Sequence, residues 1–142
     1  MSNPRTVETL REYFKDDKFV TGIGIHIDSI GENTAIVSAK IEERHLNAIG
    51  LAQGGFLFTL ADFAMGVAAN LLPGVAVTLS SSINYLKSPK GKTVFADAQP
   101  VKLGRTVRVY NVRVYDDLGT ECVTSIFTAF VTNPDAESAM GG

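Results

Sequence analysis

The stretch His45–Asn70, HLNAIGLAQGGFLFTLADFAMGVAAN, carries most of what the fold requires. A polar loop with a Gly-Gly pair runs into a segment that is apolar on every side, with one carboxylate, Asp62, about two turns inside. A helix that is hydrophobic all round must be enclosed by other elements. A lone acid inside it is costly unless it is paired, neutralised or used. Asp62 is therefore the first candidate for chemistry, and the loop before it the first candidate for a binding site.

Around this helix the chain changes period. Thr6–Phe14 places Val7, Leu10, Tyr13 and Phe14 at helical spacing, and Asp16-Asp17-Lys18 ends that helix. Ile23, Ile25 and Ile27 alternate with Gly24, His26 and Asp28, which predicts a strand, and Gly31-Glu32-Asn33 is turn material. Thr34–Ile41 alternates again, and the two strands are expected to form a hairpin. Pro73-Gly74 stops the long helix. Four further strands are predicted over Ala76–Leu86, Thr93–Val101, Thr106–Tyr115 and Glu121–Thr132, the last two joined by a hairpin at Asp116-Asp117-Leu118-Gly119. Within Thr106–Tyr115 the apolar phase slips from Val107 and Val109 to Val112 and Val114, which points to a bulge. Only the connection holding the core helix is long enough for a crossover, so the sheet is mainly antiparallel. The expected class is α+β, an antiparallel sheet wrapped around one long helix, as a single domain over 1–142 with a disordered tail over 133–142.

The composition excludes several functions. With 142 residues, 45% of them hydrophobic, and a net charge of −2, the chain is an ordinary globular domain with no call for a nucleic-acid partner. The single cysteine, Cys122, rules out an intrachain disulfide and a cysteine metal cluster. His26 and His45 lack partners at metal-ligand spacing, so no metal is expected; His26 should face solvent and His45 should shape its loop. Gly54–Leu72 approaches the ~20 residues of a membrane span. Asp62 at its centre would cost about 2.5–3.5 kcal/mol there, and basic flanks are missing, so no membrane partner is expected. The polar start MSNPRTVETLREYF has no signal-peptide core, which makes the cytoplasm the expected location. Neither a Gly-x-Ser-x-Gly elbow, a P-loop nor a dinucleotide fingerprint occurs.

The segment HLNAIGLAQGG…LADFAMGVA resembles the signature of the small hotdog acyl-CoA thioesterases of the phenylacetate-pathway type, through His45, Asn47, Gly50, Gly54, Gly55 and Asp62. The resemblance continues through SSINYLKSP (80–89) and KLGRTVRVYNVRVYDDLG (102–119). It implies a hotdog fold and hydrolysis of an acyl-CoA to a free acid and coenzyme A, the coenzyme being part of the substrate and no separate cofactor. It further implies a homo-oligomer, two subunits sharing one sheet and pairing again into a tetramer, with Asp62 acting across the dimer interface against the Gly55 loop. Gln53 stands where the family has histidine; its amide can still donate a hydrogen bond.

These residues suit thioester chemistry. Backbone N–H groups at the start of a helix lack intrahelical partners, and the helix dipole adds positive potential. A carbonyl oxygen there is stabilised as it becomes negative, and one such donor is worth about 2.7–4 kcal/mol of barrier. The resemblance implies that Gly55 is the donor, and glycine at Gly54 allows close approach. Asp62 is read either as general base for a water or as nucleophile, with Asn47 orienting the attacking group. Thr59 shares the Asp62 face and either meets substrate or bonds back to its own helix. Thr78 and Ser80 lie near where the resembled family carries a hydroxyl beside the carboxylate, and register with Ile83 and Tyr85 favours Thr78. Lys87, Lys90, Lys92, Lys102, Arg105 and Arg108 are candidates for the coenzyme A phosphates, with Lys90, Lys92 and Arg105 preferred because they lie in turns. Phe56, Phe58, Phe63 and Met65 are either core or the wall of an acyl pocket. The rival functions are a non-catalytic acyl-CoA binder and a hotdog dehydratase or hydratase, the latter disfavoured by Gln53.

Overall fold

The computed structural model describes residues 5–135. Two short helices, α1 (Val7–Phe14) and α2 (Lys18–Gly22), precede a hairpin of β1 (His26–Gly31) and β2 (Thr34–Lys40). A single 3-10 turn, Glu43–His45, leads to the long helix α3 (Gly54–Ala69). Strands β3 (Val75–Tyr85), β4 (Thr93–Leu103), β5 (Val107–Asp116) and β6 (Glu121–Thr132) follow. The strands form one antiparallel sheet in the order β1-β2-β4-β5-β6-β3, and α3 packs on β2 to β6. The core is the inner face of that curve: Val37, Val94, Val112, Val114, Val123 and Phe127 from the strands meet Leu60, Ala64, Met65 and Val67 from the helix.

The predicted architecture and most strand limits stand, and several details differ. The strand expected from Ile23 starts at His26, because Ile23 still closes a helical turn. Asp17 caps α2 by accepting from Val20 N–H at 3.2 Å, and Gly24 turns the chain with φ of 82°. His26 itself is exposed. The bulge expected within β5 is absent there. Val107 and Val109 face outward because Arg108 is turned inward and buried, and the inner row runs Arg108, Tyr110, Val112, Val114. The extra residues sit on the neighbouring strands, Val101 in β4 and Cys122 in β6.

Arg108 is consequently not a surface cation available to a phosphate. Its guanidinium donates to Ala69 O at 2.8 Å and Pro73 O at 3.0 Å, satisfying carbonyls at the C-terminal end of α3, where the helix dipole favours positive charge. Asn70 closes the same end, three residues before the expected stop at Pro73. Its side chain donates to Gly66 O at 2.7 Å and accepts from Ala76 N–H at 3.0 Å. The tail expected over 133–142 lies mostly outside the described residues. Its described part, Asn133–Asp135, includes an exposed ion pair of Asp135 with Arg105.

Helix α3 is not enclosed on every side. Ten of its residues are buried, but Gly55, Thr59, Asp62 and Gly66 are not, and their spacing of four, seven and eleven places them on one stripe. That stripe and the edge strand β3, whose residues are nearly all exposed or half-buried, remain open in the single chain.

Candidate active site

Asp62 lies on this open stripe, half-buried, facing β3. Thr78, four residues into that strand, donates its hydroxyl to Asp62 Oδ1 at 2.6 Å. Burial raises the Asp62 carboxyl above the ordinary carboxylate value; the Thr78 hydrogen bond opposes this by favouring the ion, and the nearby Asp17 carboxylate adds to the rise. A carboxylate made more basic in this way is a better proton acceptor near neutral pH. Ser80 is exposed on the same strand and pairs with Thr128, past a bulge at Leu79.

The loop before α3 is held from several directions. Asn47 Oδ1 accepts from Ile49 N–H at 3.1 Å and Leu51 N–H at 3.0 Å, so its carbonyl shapes the turn while its NH2 makes no hydrogen bond among the described residues. His45 is buried and stacked on Phe56, ring centroids 4.0 Å apart. Its Nδ1 accepts from Glu42 N–H at 2.9 Å, so Nε2 carries the proton and donates to Ile23 O at 2.7 Å. Arg44 donates to Gly22 O at 2.6 Å and to Glu42 at 2.7 Å. Two side chains thus tie the loop to the end of α2, a restraint with no signal in the sequence because α2 is so short.

At the helix start, Gln53 Oε1 accepts from Gly54 N–H at 3.0 Å. The next amide, Gly55 N–H, makes no hydrogen bond among the described residues and is exposed. Thr59 donates back to Gly55 O at 2.8 Å, the local bond expected of a helical threonine. A hollow of about 550 Å³ opens here, bordered by Phe19, Ile23, Gln53, Gly55, Phe58 and Tyr85. Its walls are largely apolar and its floor offers a backbone donor. Phe58 is part of this wall; Phe56 is buried but also borders the hollow, whereas Phe63 and Met65 belong to the core and do not reach it.

On the other side of Gly54 a second hollow, of about 290 Å³, is lined by Ala52, Leu57, Tyr85, Leu86 and Lys87. Lys87 therefore stands beside the candidate site. Lys90 and Lys92 are exposed in a turn that is anchored through its backbone to Asp116 and Asp117, and neither forms an ion pair among the described residues. Tyr85 escaped the sequence reading because its approach to Gly54 spans 31 residues. Cys122 offers no nucleophile: burial pushes its thiol up to about 11, with the Asp116 and Glu121 charges adding to the effect.

Gly55 and Asp62 share a face but are separated by seven residues, about 10 Å along the axis. No one carbonyl group can touch both within a single chain.

The curved antiparallel sheet around α3, with a carboxylate on the open stripe and a free amide at the helix start, defines a hotdog protein. The chain belongs to the thioesterase superfamily, whose family model matches residues 49–123. A putative esterase of Archaeoglobus fulgidus is 30% identical over 131 residues, 91% of this chain and 85% of that protein. The acyl-coenzyme A thioesterase PaaI of Escherichia coli is 31% identical over 102 residues, 71% of this chain and 73% of that protein. A Streptococcus mutans protein solved with acetyl-CoA bound has a TM-score of 0.72 and 39% identity, covering 77% of this chain and 89% of that one. Among the described residues no helix is long and apolar enough to cross a membrane.

Proposed function

We propose that this protein hydrolyses acyl-CoA thioesters to the free acid and coenzyme A, as a dimer in which each site takes Gly55 from one copy and Asp62 from the other. The observation that carries this reading is the half-buried Asp62, gripped by Thr78 at 2.6 Å, on the same open stripe as an unused Gly55 amide. The thioester oxygen docks on Gly55 N–H, with the NH2 groups of Asn47 and Gln53 within the same loop. Acting as base, Asp62 takes a proton from water and the hydroxide adds to the carbonyl carbon. The oxyanion is held by the amide, the C–S bond breaks, and the thiolate leaves and collects a proton. Acting as nucleophile, the same carboxylate attacks the carbon directly, and water then cleaves the mixed anhydride. The resemblance to PaaI and to a protein that binds acetyl-CoA supports the choice of thioester.

Dimerisation through β3 fits the exposed edge, since unpaired strand edges are normally covered in folded proteins. Pairing of dimers fits the outer face of the sheet, where Val101, Ile126 and Phe130 are 59%, 50% and 41% exposed. Lys87, Lys90 and Lys92 supply cations for the coenzyme phosphates. Arg105, held by Asp135, is a weaker candidate. The reading includes a cytoplasmic location, which a lone unpaired cysteine suits. A hydratase reading lacks its imidazole, because both ring nitrogens of His45 are committed to backbone groups, Glu42 N–H and Ile23 O.

A panel of aliphatic and aromatic acyl-CoAs, assayed for thiol release, tests the proposal. Turnover of at least one member is expected; binding of acyl-CoA without thiol release from any of them makes the protein a binder instead. A finer test concerns Thr78. Thr78→Val removes a hydrogen bond that favours the ionised carboxylate, so Asp62 should become harder to ionise. The acid limb of the kcat/KM profile is expected to move to higher pH, with little change in thermal stability because Thr78 is exposed. A limb that stays in place or moves to lower pH means that Thr78 does not hold the active carboxylate.

A further inference from the structure

We propose that Tyr85 is a positioning residue that aims the Gly55 amide by gripping the other end of the same peptide unit, Gly54 C=O. This rests on the thioesterase reading for its catalytic consequence, but the grip itself is independent of it. Tyr85 ends β3, and its hydroxyl donates to Gly54 O at 3.2 Å. The ring lies alongside: a Cβ built on Gly54 would meet Tyr85 Cε1 at 3.5 Å. In a planar trans peptide the C=O of one residue and the N–H of the next point in opposite directions, so fixing one fixes the other.

The reason such an anchor is needed lies in the sequence. The peptide unit is flanked by glycine on both sides, and glycine has the widest φ/ψ freedom of any residue. Gly55 N–H has no helical acceptor, and α3 holds its peptide unit from the other end alone, through Phe58 N–H to Gly54 C=O in the first turn. With glycine on both sides, that one first-turn bond leaves the plane room to tilt, and a second donor on Gly54 C=O narrows the tilt. Gln53 engages only the preceding N–H, that of Gly54, in a different peptide unit. Among the described residues, Tyr85 is the side chain that hydrogen-bonds the Gly54–Gly55 unit. Hydrogen bonds in series polarise one another, so a donor on Gly54 O also makes Gly55 N–H a stronger donor. The 3.2 Å separation is long for a hydroxyl donor, and such bonds tighten as charge develops on the substrate. Because Tyr85 borders the hollows on both sides of Gly54, it also separates the apolar chamber from the Lys87 side.

Tyr85→Phe keeps the ring and removes the donor. Loss of one neutral hydrogen bond that strengthens in the transition state is expected to lower kcat about three- to tenfold with KM nearly unchanged. The peptide itself can be read without turnover. In protein labelled with glycine carrying 13C at the carbonyl and 15N at the amide, only Gly-Gly peptides give a carbonyl-to-nitrogen correlation in the NMR spectrum. The sequence has two, 54–55 and 141–142. The 54–55 signal should shift in Tyr85→Phe while the 141–142 signal stays. An unmoved 54–55 signal overturns the proposal whatever the kinetics. A moved signal with unchanged kcat in an active enzyme overturns the aiming role. If the wild type releases no thiol from any acyl-CoA, the thioesterase reading fails separately, and the 54–55 signal still decides whether Tyr85 holds the peptide.

Discussion

Replacement of Asp62 by asparagine is expected to cut thiol release from acyl-CoA by about 10²- to 10⁴-fold, the usual weight of a positioned proton-transfer group. The variant removes both routes at once, because an amide neither accepts the proton of water nor attacks a carbonyl. The side chain keeps its shape, and Thr78 can still donate to the remaining oxygen, so coenzyme A affinity and the fold should persist. Stability gives an independent check. Burial raises the carboxyl of Asp62 in the folded protein, so its ionisation costs folding energy. The folded state is then relatively favoured below the unfolded carboxylate value of about 3.9, and this advantage disappears as pH rises through the higher folded value. Asparagine cannot ionise. The variant should therefore unfold at the same or a higher temperature than the wild type at pH 7, and the difference should close in acid. Residual thiol release within tenfold of wild type would exclude Asp62 from the chemistry, and an unchanged fold would show that the test was fair.

The contrast between Asp62 and Tyr85 shows what this sequence discloses. Asp62 is legible because it breaks a pattern: one charge in an otherwise apolar helix has few explanations. Thr78 is less legible: strict alternation from Ile83 and Tyr85 puts it on the far face, and only the bulge at Leu79 brings it round to the helix. Alternation located β2, β4, β5 and β6, each strand having one buried face. What fails to show is whatever depends on a single long-range contact. Helix α2 spans five residues, too few for a period, and its one signal is the Asp17 cap. The apparent slip in β5 comes from a polar residue used as core. Arg108 is buried because three backbone carbonyls accept from it, and hydropathy counts it as surface. The hold of Tyr85 on Gly54, and of Arg44 and His45 on the end of α2, exists only once the chain has closed on itself.

The largest structural effect is expected at Asp116, which the sequence marks only as hairpin material. Its carboxylate is 2% exposed, and each oxygen accepts two backbone hydrogen bonds. Oδ2 takes Lys90 N–H at 2.8 Å and Gly91 N–H at 2.9 Å; Oδ1 takes Leu118 N–H at 3.0 Å and Thr120 N–H at 2.7 Å. One side chain thus ties the β3–β4 connection to the β5–β6 hairpin. The two turns are close enough that a Cβ on Gly91 would lie 1.8 Å from Asp117 Oδ1. Burial alone would push the Asp116 carboxyl up, but the N–H groups of Gly91, Lys90 and Thr120 more than offset it and hold the group well below the usual carboxylate range. Asp116→Ala leaves four donors without an acceptor, each costing about 1–3 kcal/mol if water does not reach it, so a loss of about 3 kcal/mol or more is expected. Asp116→Asn should be little better, because its NH2 must face two N–H groups. The pH dependence follows from the depressed folded value: the contribution is fully present above the unfolded carboxylate value of about 3.9 and is lost as pH falls below it toward the folded one. Denaturant unfolding of wild type and Asp116→Asn at pH 7 and at about pH 3 therefore discriminates. The gap should be wide at pH 7 and narrower in acid. A gap that is small at pH 7, or that widens on acidification, would mean that the carboxylate charge does not hold the two turns together.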